Sequence, residues 1–241
     1  MVPGDDLGGM LGEAAAAAGA RPGDVLVVAH KVVSKAEGRI VRLAEVVPGP
    51  AARALAVETG KDPRLVEVIL GETRRVLRRR GGTIVCETRQ GFVCANAGVD
   101  ASNAPEGTVI LLPRDADASA RRLQAALARR VGGRVGLVVS DTHGRAFRRG
   151  LVNVAIGVAG FRPLVDHRGG VDRSGRTLVA TEQALADELA GAAGMLMGKD
   201  AGLPAVLACG VPTQPGPGSV GELLRDPAHD LFREGGQMVG A

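Results

Sequence analysis

The sequence predicts a mixed α/β or α+β fold, and three observations carry that prediction. Two continuous apolar runs, "DVLVVAHKVV" (24–33) and "RVGLVVSD" (134–141), read as strands buried on both faces. Two segments of helical periodicity, "KDPRLVEVILGETRRVLRRR" (61–80) and "DASARRLQAALARR" (117–130), read as amphipathic helices. The two kinds of element mix without the regular alternation of a barrel, and no repeat of about 20–50 residues is present.

In chain order, Asp5 or Asp6 caps a helix through "LGGMLGEAAAAAGA" that ends near Gly19 and Pro22. In the 61–80 segment Asp62 caps and Pro63 takes the first turn. Leu65, Val66, Ile69, Leu70, Val76 and Leu77 form its apolar face, and the closing arginines suit the dipole of a helix C-terminus. "TIVCETRQGFVCANAGVD" (83–100) reads as two strands about the turn Arg89-Gln90-Gly91, the second ending on Asp100. "GTVILLP" (107–113) is a further strand, and the strand at 134–141 ends on Asp141. A Gly-rich segment follows to about residue 175, then a long helix over "EQALADELAGAAGMLMG" (182–198). A strand in "LPAVLACGV" (203–211) and a short helix in "SVGELLR" (219–225) complete the reading.

Composition narrows the function classes. The chain has 241 residues, 45% of them hydrophobic, which suits a globular unit with a proper core. No apolar run approaches the roughly 18 residues needed to span a bilayer, and the start has no signal-peptide pattern. Three cysteines without C-x-x-C spacing (Cys86, Cys94, Cys209) indicate neither a disulfide framework nor a zinc site; they read as small buried hydrophobes in a reducing cytoplasm. A net charge of +4 points to an anionic partner. With no Trp or Tyr and four Phe, stacking on nucleic acid is disfavoured and small polyanions such as nucleotides remain. Arginine far outnumbers lysine, so Lys31, Lys35, Lys61 and Lys199 stand out.

The phosphate-loop patterns are weak. "GMLMGKD" (194–200) fails as a Walker A end because its glycines are too close and Asp200 replaces Ser/Thr. "GPGSVG" (216–221) follows a strand and opens a helix, so it reads either as a phosphate-facing turn or as an ordinary connection. The histidines show no ligand spacing. The acids say more. Asp100 and Asp141 each end a strand and precede short polar side chains: Ser102 and Asn103 after the first, Thr142 after the second. Brought together, two such carboxylates and a hydroxyl would suit Mg²⁺ or Mn²⁺; apart, they would be turn caps.

Together, "VVAHKVVSKAEGRIV", "KDPRLVEVIL", "ANAGVDASN", "SDTHGRAFRRGLVNVAIGVAG" and "ADELAGAAGMLMGK" resemble the coenzyme F420-0:L-glutamate ligase family, the γ-glutamyl ligases of deazaflavin biosynthesis. The resemblance spans nearly the whole chain and implies one unit over residues 1–241, with two interleaved lobes and no fused reductase domain or flavin. It implies a ligase that activates the phospholactyl carboxylate of coenzyme F420-0 with GTP, through an acyl phosphate, for attack by the amino group of L-glutamate. Further γ-linked glutamates can follow. The metal ligands it implies fall on Asp100, Asp141 and Thr142, for two divalent ions (Mg²⁺ or Mn²⁺), with K⁺ as a further candidate; Asp100 and Asp141 are then the catalytic residues. The nucleotide contacts fall on His30, Lys35 and Asn103 and on the loop carrying Gly210, Gln214, Gly216 and Gly218, where "GPGS" resembles a family Gly-x-Gly-Ser turn displaced by one residue. Arg145, Arg148 and Arg149 belong to a family motif and are assigned to anionic substrate.

Two departures are visible. A Leu-Pro-Glu-like nucleotide segment usually precedes "PGDD", where this chain has Met1-Val2-Pro3; either the start lies upstream or the pocket lacks one wall. His30 stands where a small hydroxyl residue is usual. The resemblance also implies a cytoplasmic homodimer, with no nucleic-acid or membrane partner. The other readings are an amide ligase for a different carboxylate and an impaired paralogue that only binds nucleotide or deazaflavin.

Overall fold

The computed structural model describes residues 1–198, 200–230 and 237–238. Its elements are α1 (Leu7–Ala17), β1 (Val25–Ala29), α2 (His30–Ala36), β2 (Ile40–Arg42), α3 (Pro50–Thr59), α4 (Pro63–Glu72), β3 (Thr73–Arg80), β4 (Thr83–Thr88), β5 (Val93–Ala95) and β6 (Thr108–Ile110). They continue as α5 (Ala116–Val131), β7 (Gly136–Arg145), β8 (Arg148–Ala159), β9 (Val165–Asp166), β10 (Glu182–Gln183), α6 (Leu185–Met197), β11 (Ala205–Ala208) and β12 (Gln237–Met238). The mixture of helices with parallel and antiparallel pairing is the expected α/β class.

The principal sheet has the order β11-β1-β7-β8; β1 and β7 are parallel and the outer pairs antiparallel. Both of its faces are covered, which is why its two central strands read as unbroken apolar runs. Leu26, Val28, Leu137, Val139 and Ile156 pack with residues of α1 and α5 on one face. Val25, Val27, Val138 and Val158 point the other way, onto Leu185, Leu189, Ala190 and Ala193 of α6. A second core joins α3 and α4 to β4 and β6 through Leu55, Val66, Ile69, Ile84, Cys86, Val109 and Leu111.

Several expected boundaries move. The apolar run 24–33 is a strand only to Ala29, and His30 opens α2. The segment 61–80 is a helix only to Glu72; the arginines that follow lie on β3 and not on a helix end. There they pair across chain neighbours, Arg79 with Glu58 at 3.0 Å and Arg74 with Glu87 at 3.4 Å. The break falls where Thr73 and Val76 introduce β-branching, and the Thr73 hydroxyl donates to the Ile69 carbonyl oxygen at 2.6 Å.

β7 does not stop at Asp141. It continues through Arg145 and turns into β8, inside the stretch expected to be an irregular Gly-rich segment. Gly157 in β8 is there for space: a Cβ would stand 2.4 Å from the Ala116 carbonyl oxygen at the start of α5. Asp100 does not end a strand either, since it follows a 3₁₀ turn at Asn96–Gly98 and pairs singly with Ile110. The hairpin expected within 83–100 forms as β4 and β5, ending at Ala95, and it sets Cys86 opposite Cys94. Those two thiols are buried as expected, whereas Cys209 is exposed. The last expected helix is a 3₁₀ turn, Val220–Leu223.

Candidate active site

A cleft of about 730 Å³ opens where the C-terminal end of β1, the start of α2, the loop after Asp100, the middle of the β7–β8 hairpin and the end of α6 converge. Asp100, Asn103, Asp141, Thr142, His30 and Lys35 all line it. Residues distant in sequence are gathered because β1 and β7 lie side by side and parallel, so the end of β1 at Ala29 falls beside Ser140 and Asp141 in the middle of β7. An apolar wall of Val32, Leu151, Met197 and Leu203 faces the polar groups.

Asp141 is half-buried, its side chain 14% exposed. Its Oδ1 accepts from the Thr142 N–H at 2.7 Å, and it lies 3.2 Å from His30 Nε2. Its Oδ2 lies 3.2 Å from His143 Nε2. Both separations are within ion-pair reach, yet neither ring N–H is aligned for a hydrogen bond, and both Nε2 atoms are buried without one. Burial opposes charge on Asp141, but the facing His30 and His143 rings more than offset it and hold its carboxyl far below the ordinary carboxylate range. Next to it, the Thr142 hydroxyl donates to Asn153 Oδ1 at 3.0 Å. Asn153 in turn packs against Gly194 of α6, where a Cβ would stand 2.8 Å from its amide carbon.

Asp100 is held from the opposite wall. Its Oδ1 accepts from Ser102 N at 2.7 Å and its Oδ2 from Ser102 Oγ at 2.9 Å, and Lys31 Nζ lies 2.7 Å from Oδ2. Partial burial opposes its charge, but the Lys31 ammonium and the Ser102 donors prevail and hold the carboxyl below its ordinary value. One turn further along α2, Lys35 Nζ donates to the Asn103 carbonyl oxygen at 2.7 Å. Asn103 has φ 57°, a left-handed conformation that asparagine tolerates better than most side chains.

The donor set fits a hard divalent cation. Two carboxylates and a hydroxyl border one cleft, and such ions commonly take one or two carboxylates and complete their shell with water and phosphate oxygens. Among the described residues no group of three or more His, Cys, Asp or Glu side chains is arranged to hold a metal, so an ion here would draw further ligands from water and substrate.

Other predicted residues lie elsewhere. Arg145, Arg148 and Arg149 are exposed at the end of the β7–β8 hairpin, with Arg145 Nη2 donating to the Arg149 carbonyl oxygen at 2.9 Å. Gly210, Gln214, Gly216 and Gly218 are outside the residues that border the cleft. The Gln214 carbonyl oxygen accepts from Arg162 N, and a Cβ on Gly218 would stand 2.7 Å from the Phe161 carbonyl oxygen. Nearby, the Val220 N–H and the Ser219 hydroxyl donate to the carboxylate of Asp117, an anion of the protein's own. Lys199 lies outside the described residues.

The sequence set Lys31 apart only as one of four lysines and gave no site role to it, to His143 or to Asn153. The signal for Lys31 was its spacing from Lys35, which puts both on one helical face once α2 is known to begin at His30. His143 lies two residues beyond Asp141 on the same face of β7, a relation hidden while the strand was expected to stop at Asp141.

Fold and cleft together define a class: an α/β protein with a charged cleft where β1 ends beside the middle of its parallel neighbour β7. Residues 1–210 match the F420-0:gamma-glutamyl ligase family, and the chain belongs to that family. It is 49% identical to the coenzyme F420:L-glutamate ligase of Methanopyrus kandleri over 96% of this chain and 92% of the relative. It is also 49% identical to the enzyme of that name from Methanothermobacter thermautotrophicus, over 88% of this chain and 85% of the relative. For the one from Methanocaldococcus jannaschii the identity is 42%, again over 88% and 85%. Among the described residues no helix is long and apolar enough to cross a membrane.

Proposed function

We propose that this protein is a cytoplasmic ligase that joins L-glutamate to the phospholactyl carboxylate of coenzyme F420-0, using GTP and divalent cations. The observation that carries the reading is the convergence of Asp100 and Asp141 on one cleft, in a chain whose relatives bear that ligase name. A carboxylate oxygen of F420-0 attacks the γ-phosphorus of GTP, and GDP leaves. The amino nitrogen of glutamate then attacks the acyl carbon, the C–O bond to phosphate breaks, and the amine loses a proton as the amide forms.

Charge builds on the transferring phosphoryl oxygens, and Mg²⁺ or Mn²⁺ would supply the neutralisation for it when bound. Asp100 and Asp141 would hold that ion, with the Thr142 hydroxyl beside them and K⁺ as a further candidate. Lys35 adds positive charge to the same wall, and Asn103 presents polar groups to a nucleotide. The Val32, Leu151, Met197 and Leu203 wall offers apolar surface to a ring system. A homodimer is the assembly we infer, read by light scattering as twice the chain mass.

The test is incubation of the protein with F420-0, glutamate, GTP and Mn²⁺, followed by mass spectrometry. A product heavier by one or more glutamyl residues, with GDP formed in step, is expected. Intact F420-0 in the presence of wild-type protein, under conditions where GTP binds, would overturn the reading.

A further inference from the structure

We propose that Lys31 is the resident counter-ion of Asp100 and competes with a divalent cation for that carboxylate. The inference rests on the metal-dependent reading given above. Lys31 Nζ lies 2.7 Å from Asp100 Oδ2 and 3.0 Å from the Ser102 carbonyl oxygen, and it also donates to the Ser102 hydroxyl. Two oxygens of Ser102 therefore accept from the ammonium while the Asp100 carboxylate lies against it, a cradle built around a positive charge.

Lone pairs show what this costs a metal. Oδ1 of Asp100 accepts one bond, from Ser102 N, and keeps one lone pair. Oδ2 accepts from the Ser102 hydroxyl and has the Lys31 ammonium against it at 2.7 Å as an ion pair. A carboxylate carrying an ammonium on one oxygen is a poor ligand for a second cation, because the two positive charges repel at close range. The full charge of Asp100 reaches a divalent ion only when the ammonium withdraws.

Lys31 is placed to withdraw. It lines the cleft, and its side chain is 21% exposed on a flexible stem anchored at the first turn of α2. Released, its charge stays on the wall it shares with Lys35, where an incoming polyanion would meet both. Lys35 differs in kind, since its partner is the neutral Asn103 carbonyl. Lys31 is thus a positioning residue that offsets the Asp100 charge in the metal-free cleft and then turns its own charge to the bound anion.

The experiment is titration of nucleotide-free protein with Mn²⁺, free ion being read by electron paramagnetic resonance, for wild type, Lys31→Met, Lys31→Arg and Asp100→Asn. Removing one nearby positive charge should tighten Mn²⁺ binding by roughly tenfold in Lys31→Met. Lys31→Arg, which keeps the charge, should bind as wild type does. In an Asp100→Asn background the Lys31→Met change should have little further effect, because the competition has lost its object. Lys31→Gln, a polar neutral side chain, gives the same reading if Lys31→Met does not fold. Equal or weaker Mn²⁺ binding on neutralising Lys31 overturns this inference alone. Absence of Mn²⁺ binding in wild type and variants alike overturns the metal reading of the cleft, and the inference with it.

Discussion

Replacing Gly194 with alanine sets a helix rule against a packing constraint. Gly194 lies inside α6, where alanine is favoured over glycine by about 1 kcal/mol in an isolated helix. Against this, a Cβ at that position would stand 2.8 Å from both Cγ and Nδ2 of Asn153 and 3.1 Å from its Cβ. The clash includes the atom nearest the backbone, so rotating the amide away does not relieve it. Overpacking of this kind costs about 1–3 kcal/mol. Moving Asn153 also breaks its 3.0 Å bond with the Thr142 hydroxyl, worth about 1 kcal/mol. The net expectation is a loss of about 1–3 kcal/mol, and a melting temperature lower by about 2–12 °C for a chain of this size. Ligase turnover should fall by about ten- to a hundredfold, because the hydroxyl beside Asp141 loses its orientation. The assays are a calorimetric melt and the mass-spectrometric ligase rate. Adding Asn153→Ala to Gly194→Ala should recover much of the stability and none of the rate, a coupling that separates packing from positioning. A Gly194→Ala protein that is more stable than wild type and equally active would refute this account of the α6–β8 contact.

Other expectations follow from the same coordinates. Asp141→Asn should abolish most turnover and remove the rise in melting temperature that Mn²⁺ gives wild type, since a hard cation needs the carboxylate charge; retained rate and metal response would leave Asp141 a structural residue of β7. Asp100 and Asp141 are both held below their ordinary carboxyl values in the folded protein. Their contribution to stability is therefore present above the unfolded value of about 4 and is lost as the pH falls below it; the Asp100→Asn/Asp141→Asn protein should show a flatter melting curve against pH in that acid range. Asp117 accepts from Val158 N, Val220 N and the Ser219 hydroxyl, so Asp117→Ala should cost about 3 kcal/mol by leaving buried donors unmet, read by denaturant unfolding. Burial pushes the Cys94 thiol up to about 12 and raises that of Cys86, whereas Cys209 is exposed; alkylation of folded protein near pH 8 should add one label, at Cys209, by peptide mass spectrometry.

The sequence by itself determined the α/β class, the two-sided burial of β1 and β7, the capped starts of α1 and α4, and the hairpin at 83–95. Each of these is set by neighbours a few residues apart: apolar continuity, a capping carboxylate, a Gly at a turn. It also singled out Asp100 and Asp141, because short polar residues after an acid mark a chemistry that local structure does not need. Only the tertiary structure decided where the local signals conflict. The helix period of α4 runs on into β3, and pairing with β4 overrides it from Thr73 onward. The Gly and Arg content around residue 150 hid a 12-residue strand that exists because β7 offers it a partner. In the cleft, the structure brought His30 and His143 to one carboxylate and Lys31 to the other. The His30 and Lys31 pairs depend on how separate elements meet and not on distance along the chain, whereas the His143 pair needed only the knowledge that β7 runs past Asp141.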